Sequence, residues 1–366
     1  MIDLIGGSMR NHAHCSKIIS GPLLLMGFVL FWTPRMTRLN AQESQDPART
    51  VNSLIESEAH VVFDATAFGP GTPMPHWDHG YLVSMNSEIF APGSSNVRLS
   101  DKSGAMVRSA TVWFPGSERV SLTSAAVGPQ GEIIASGEAD EADGTRARFI
   151  ASVGASGKMT AIQTGAFDPD LVCAAPNGTI WSLGSTGWDG TIHHPKPGET
   201  FRNFDMQRGQ ISAYIPRSTF PDKPEPYALS YIRCDANEVV AYSPYANLYI
   251  EMPYGADRPR IYKASMPTDY RLIGFAIQGP KQVFGLLQKY VNYNVDDSGL
   301  NGLYSLVYDE KDMTVQWVPL AGAVGSYKTS VLPTRLWGVD GSDLVLSHSK
   351  DIAAPGSLHW DSVTKP

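Results

Sequence analysis

The densest cluster of side chains able to hold a metal or move a proton is H-W-D-H, His76 to His79. Its two imidazoles and one carboxylate are ligand types that a divalent cation accepts, and the pair His193-His194 is the nearest match elsewhere in the chain. Two acidic stretches, E-A-D-E-A-D-G-T (Glu138 to Thr145) and N-V-D-D-S-G-L-N-G (Asn294 to Gly302), offer oxygen ligands of the kind calcium takes. Neither has the regular spacing of a calcium loop, so solvated loops are the preferred reading. Signatures of covalent or nucleotide chemistry are missing: there is no G-x-S-x-G, no H-E-x-x-H, no phosphate loop and no dinucleotide fingerprint.

What positions these residues is a repeat. V-G-P-Q-G-E-I-I-A-S-G (Val127 to Gly137) returns 47 residues later as A-A-P-N-G-T-I-W-S-L-G (Ala174 to Gly184). Each copy reads as a strand end, a tight turn and a second strand: Pro fixes φ, Gly permits a left-handed turn residue, and β-branched residues follow. Weaker echoes place Leu82, Val239, Val283 and Leu344 where Ile133 and Ile180 stand, at spacings of 51, 47, 59, 44 and 61 residues. Periods of this length with several strands each are the mark of propeller blades. Later hairpins complete the units: Arg148 to Gln163 around a Gly-Ala-Ser-Gly turn, Thr191 to Phe204 around Pro197-Gly198, and Leu303 to Val318 turning at Asp309 to Asp312. The expected fold is all-β, a six-bladed propeller of four-stranded antiparallel blades. Seven blades would require the Pro-rich segment Met206 to Pro226, which reads as a long loop, to hide strands. The C-terminal S-L-H-W-D-S-V and the early strand His60 to Thr66 are available to close the ring, since an unclosed sheet leaves sticky edges.

The repeat bears on chemistry. Its register puts His76, Asp78 and His79 at the turn after a first strand and His193-His194 on a third strand, at different radii. The tripeptide also returns as His359-Trp360-Asp361, with Trp188-Asp189 echoing it. Packing aromatics beside turn-capping carboxylates are therefore preferred to a metal site. First-strand entries should ring the mouth of the central channel, on the face that also carries the loops between second and third strands. The candidates there are Arg119, Asp168, Asp170, Tyr227, Tyr231, Asp269, Tyr270, Arg271, Tyr327 and Lys328. Tyrosines among charges suit a sugar or peptide, because each ring offers an apolar face and a polar tip.

The x-P-[N/D]-G-x-I-W pattern, Ala175 to Trp181 here, resembles the blade signature of NHL-type, gluconolactonase-like and streptogramin-lyase-like propellers. It covers two units well and four loosely. The resemblance implies a superfamily that includes metal-dependent lactonases, lyases and pure binding modules, so it does not choose an activity. No residue of those families is carried over.

The rest of the chain bounds the setting. Of 366 residues, 42% are hydrophobic and 18% charged, enough for a large core. The net charge is -7 and no basic run appears, which excludes nucleic acid as a partner. Residues 1–41 read as an export signal: Arg10 and Lys17 precede an apolar run, Ile18 to Trp32, too short for a membrane span, and cleavage fits after Ala41. An uncleaved anchor is the alternative, and the only route to a membrane. Cleavage takes the basic count from 29 to 25 and the acidic count from 36 to 35, giving -10. Residues 42–58 read as a polar linker and 59–366 as one propeller domain. Cys173 and Cys234 each end an apolar strand. Two separately buried thiols are preferred there to the disulfide that an oxidising compartment permits.

The expectation is an extracytoplasmic binding or scaffold protein with no cofactor, its ligand a small molecule, glycan or peptide at the channel mouth, or its partner an envelope protein. A metal-assisted hydrolase or lyase at the same mouth, holding a divalent metal, is the alternative.

Overall fold

The computed structural model describes residues 53–55, 59–63, 75–87, 95–186, 200–214, 230–243, 247–292, 294–296, 298–324, 335–348 and 356–364. Among them there is no helix, and so none long and apolar enough to cross a membrane. Three four-stranded antiparallel sheets follow one another: β3–β6 (His76–Asp78, Tyr81–Ser87, Ser95–Ser100, Met106–Thr111), β7–β10 (Ser117–Val127, Ile133–Glu141, Arg146–Val153, Met159–Gln163) and β11–β14 (Phe167–Ala174, Ile180–Thr186, Thr200–Asp205, Gly209–Tyr214). A fourth blade of the same design is β15–β18 (Tyr231–Cys234, Glu238–Ser243, Leu248–Pro253, Arg260–Ser265).

The count of six separate blades, and the alternative of seven, needs correction. β18 does not end its sheet. It runs parallel to β23 (Thr314–Val324) over three residues, Lys263 to Ser265, so that the fourth blade continues into a nearly closed 14-stranded sheet. That sheet also holds β19 (Tyr270–Gly279), β20 (Gln282–Val291), β21 (Asn294–Val295), β22 (Gly302–Asp309), β24 (Arg335–Asp340), β25 (Asp343–His348), β26 (Gly356–Thr364), β1 (Ser53–Ile55) and β2 (Ala59–Phe63). The repeat marks register within a unit; whether neighbouring edges fuse is decided by a few backbone hydrogen bonds that leave no trace in it.

Within the units the repeat is a faithful ruler. Leu82, Ile133, Ile180, Val239, Val283 and Leu344 all sit at the start of a strand that pairs antiparallel with the strand before it, each at most 6% exposed. Full burial of such a side chain contributes about 1.5–3 kcal/mol. The turns explain the shared glycines. Gly131 N–H donates to Gly128 C=O at 2.9 Å and Gly128 N–H to Glu132 C=O at 2.8 Å; Ala175 to Thr179 repeats both bonds at 2.9 and 2.8 Å. Gly131 and Gly178 take φ of 75° and 81°, the left-handed position that follows a type I turn in such hairpins. Gly137 and Gly184 have a different task. Each lies against a carbonyl of the first strand, Ser121 or Asp168, at a bulge where a Cβ would overlap the oxygen.

The core lies between consecutive units. Val127, Ile133 and Phe149 pack with Val97 and Leu99; Ile134 and Ile150 pack with Phe167 and Ile180. The last cluster joins the two ends of the chain, with Trp77 edge-on to Trp360 at 5.3 Å and Trp337 and Val345 beside them. First strands lie side by side in chain order (β7, β11, β15, β19, β24), and β24 reaches β3. The early segment pairs with the C-terminal strand as expected: Val61 faces Leu358 and Phe63 faces Gly356 on β26.

Several local expectations are corrected. Ser53–Ile55, taken as linker, is β1, paired with the end of β26. Gly209–Tyr214, taken as part of a long loop, is β14, pairing β13 across the turn at Asp205 to Gly209; the prolines that suggested a loop come only after it. Thr200–Asp205 therefore finds its hairpin partner downstream, while His193-His194, Pro197-Gly198 and Trp188-Asp189 lie outside the described residues. Cys173 and Cys234 form a disulfide with Cα atoms 5.6 Å apart. They end the first strands of adjacent blades, which places them at the same height and in contact.

Candidate functional site

The ten mouth residues divide into three groups. Arg119 and Asp168 are the ends of an ion-pair ladder across β7, β8, β9 and β11. Arg119 Nε meets Asp140 at 2.8 Å, Arg146 bridges Asp140 at 2.9 Å and Glu138 at 3.3 Å, and Arg148 bridges Glu138 at 3.5 Å and Asp168 at 3.3 Å. The antiparallel register puts Asp140 opposite Arg119 and Arg146, and Glu138 opposite Arg148, so alternation along two strands builds the ladder. Burial and the Asp168 carboxylate raise the Glu138 pKa, against the pull of Arg146 and Arg148. Asp168 is 6% exposed and turned to Arg148; Asp170, two residues on, faces solvent. These charges serve one another. Tyr227, Tyr327 and Lys328 lie outside the described residues.

The remaining four come together at the start of β15 and β19. Tyr231 is buried, donates its hydroxyl to Leu272 C=O at 3.3 Å and stacks on Phe275 at 5.6 Å, tying the first strands of two units. Burial holds its pKa above the usual tyrosine range. Asp269 is the left-handed turn residue before β19, with φ of 67°, and its carbonyl accepts Tyr290 N–H at 2.8 Å. Tyr270 and Arg271 follow, both half-buried. The Arg271 guanidinium lies 4.7 Å from the centre of the Tyr290 ring, a cation–π contact. Tyr290 donates its hydroxyl to Gln288 at 3.1 Å, and burial raises its pKa against the Arg271 charge.

A loop closes over one side. The Tyr270 hydroxyl accepts Leu300 N–H at 2.7 Å, Tyr304 donates to Leu300 C=O at 2.6 Å, and Asn301 accepts Lys289 N–H at 2.7 Å. Lys289 pairs with Asp296 at 2.8 Å, and Asp296 also accepts from Ser298 at 2.6 and 2.9 Å. These bonds push the Asp296 carboxyl down to about 2, the Lys289 hydrogen bond leading. Although so fixed, the loop leaves Leu300 52% exposed beside Tyr270, while Arg271 and Tyr290 belong to the opposite face of the β19–β20 pair. The acidic stretch Asn294 to Gly302 thus latches this loop. Glu138 to Thr145 is largely strand and ladder, with a turn at Glu141 to Thr145.

H-W-D-H has a packing half and a tying half. Trp77 is 2% exposed in the closing cluster. Asp78 accepts His79 Nδ1 at 2.8 Å and Val127 N–H of the next blade at 2.7 Å. Burial alone would raise the Asp78 pKa; His79, His76 and the Val127 N–H outweigh it and hold it low, while the Asp78 hydrogen bond raises His79. Among the described residues no group of three or more His, Cys, Asp or Glu side chains is placed to hold a metal.

Sequence reasoning missed Tyr290, Gln288 and Leu300. Tyr290 was within reach: β19 and β20 are ten residues each, so the end of β20 must return beside the start of β19.

The sheets have the arrangement of a β-propeller built from four-stranded antiparallel blades. No family model and no curated protein matches the chain. Among solved structures, a candidate exported protein from Bacteroides fragilis is 11% identical, with 86% of this chain and 95% of that one covered, at a TM-score of 0.45. A candidate gluconolactonase is 12% identical over 86% and 93%, at 0.38. The soluble aldose sugar dehydrogenase of Escherichia coli is 10% identical over 85% and 98%, at 0.37.

Proposed function

We propose that this chain is an exported propeller that binds a carbohydrate or a peptide on its loop face, at Arg271 and Tyr290. The observation that carries the reading is the half-buried Arg271–Tyr290 stack at 4.7 Å. The pairing of a cation with an aromatic ring offers a ligand both charge and a flat apolar surface. Residues 1–41 serve as the export signal; a disulfide between adjacent blades suits the oxidising side of a membrane.

The test is an array of oligosaccharides and short peptides probed with the full chain and with the Tyr290→Ala and Arg271→Ala variants. Binding to one class, weakened about tenfold or more in both variants, supports the reading. Binding unchanged in both variants, or none to either class, refutes it.

A further inference from the structure

Two carboxylates are sealed into one face of the fourth blade with a single guanidinium between them. Glu251 on β17 stands directly opposite Val240 on β16 and Arg260 on β18, and Glu238 lies two residues from Val240, so the three charged side chains share a face. Glu251 is fully buried and Glu238 3% exposed. Glu238 Oε1 and both oxygens of Glu251 are closed to solvent and accept no well-formed hydrogen bond. Arg260 meets the pair as a charge, 3.3 Å from Glu251 and 3.8 Å from Glu238, and no other cation among the described residues is within ion-pair distance of either. The neighbouring polar groups are otherwise engaged. Asp235, at the turn before β16, accepts the Asn237 and Glu238 N–H groups at 2.6 and 2.7 Å, and its carbonyl accepts the Tyr254 hydroxyl at 3.1 Å. Arg233, opposite Val240 on β15, donates to Ile232 C=O at 2.8 Å. Two carboxylates on one guanidinium leave one charge unmatched; in a site closed to water, one shared proton removes it.

The strip that holds the pair is also the join between the fourth blade and the large sheet. Tyr249 and Tyr262, each two residues along from Glu251 and Arg260, face each other across β17 and β18. Tyr308 of β22 packs edge-on to both rings, at 5.7 and 5.6 Å, and donates its hydroxyl to Tyr249 at 2.9 Å. Tyr262 donates to Glu310 at 3.2 Å, and Lys281 pairs with the same carboxylate. Just beyond this cluster, Lys263 to Ser265 meet Thr314 to Gln316 in the short parallel bridge, with Lys263 N–H donating to Met313 C=O at 2.9 Å. Arg260 is 43% exposed, so water reaches the carboxylates once this rim moves. Burial first, then the charges of Glu251 and Asp235, raise the Glu238 pKa to about 7 against Arg260 and Lys281. That agrees with the geometry: the closed strip holds a proton that the opened strip releases.

We propose that this strip is a proton-operated clasp: Glu238 and Glu251 share one proton while β18 lies closed on β23, and loss of that proton loosens β17 and β18 from the tyrosine cluster. The sign follows from linkage. A carboxyl whose pKa is raised in the closed form supports closure fully below pH 4.5 and withdraws that support as pH rises through about 7. The opening is local, so it is read apart from global unfolding. The experiment is amide hydrogen exchange of the full chain, disulfide intact, at pH 5 and pH 8, corrected for the intrinsic pH dependence of exchange. The expected result is that protection of Arg260 to Ser265 and of Thr314 to Gln316 falls about tenfold or more at pH 8, while β8 and β9 keep theirs. Glu238→Gln, which keeps the shape and removes the charge, should hold the strip at pH 8 as it is held at pH 5. Equal protection of the strip at the two pH values overturns the proposal, as does the same loss in Glu238→Gln or an equal loss in β8 and β9. Should Glu238→Gln fail to fold, Glu251→Gln decides by the same comparison: protection kept at pH 8 supports the clasp, and a loss equal to that of wild type overturns it.

Discussion

Replacing Glu238 by Gln removes a pH-dependent weakness in the fourth blade. Glu238 opens β16 and is 3% exposed; the fully buried Glu251 lies diagonally across the β16–β17 ladder on the same face. One guanidinium, Arg260, serves both, at 3.8 and 3.3 Å, and is itself 43% exposed. Burial first, then the charges of Glu251 and Asp235, raise the Glu238 pKa from 4.5 to about 7, against Arg260 and Lys281. The folded state therefore holds a proton that the unfolded chain releases above pH 4.5. The stability this confers is complete below pH 4.5 and lost as pH rises through about 7. A rise of this size corresponds to about 3 kcal/mol, an upper figure because solvent reaches Arg260. The assay is urea unfolding of wild type and Glu238→Gln at pH 5 and pH 8, with the disulfide intact. The wild type should lose up to about 3 kcal/mol more than the variant between the two. An equal loss in both, or none in the wild type, would refute the reasoning.

Reduction, or Cys173→Ser with Cys234→Ser, opens a loop of 61 residues and should cost about 4 kcal/mol by chain entropy, read as a lower unfolding midpoint. Gly137→Ala and Gly184→Ala each drive a methyl into a first-strand carbonyl and should lower stability by about 1–3 kcal/mol or more. Gly131→Ala meets open space and only the left-handed φ, for about 1 kcal/mol. Acidification through the low pKa of Asp296 should release the Lys289-latched loop, seen as faster amide exchange at Ser298 and Leu300 below about pH 2 than at pH 4.

The repeat made much of the fold legible because each of its residues has a backbone task. Pro129 and Gly131 shape the turn, Ile133 starts the buried strand, and Gly137 lets the first strand bulge inward. Closure by the ends was legible too, since His60 to Thr66 and Ser357 to Val363 had no partners of their own. Fusion of β18 with β23 was not, because it depends on how two outer strands approach rather than on side-chain pattern. The disulfide was judged against on geometric grounds that blade adjacency reverses. Strand position alone put Tyr231, Asp269, Tyr270 and Arg271 at the entries of β15 and β19, where the structure has them. Arg119 and Asp168 also lie near strand starts, but cross-strand ion pairs claim them. Tyr290 was not legible in this way, because it lies at the far end of a second strand rather than at the entry of a first.

Binding at the Arg271–Tyr290 stack is tested most directly by titrating the full-length chain with the strongest oligosaccharide or peptide from the array and comparing wild type with Tyr290→Ala. The account predicts a saturable isotherm for the wild type, weakened about tenfold or more in a variant whose melting temperature shows it folded. Equal affinity in the two proteins would contradict it.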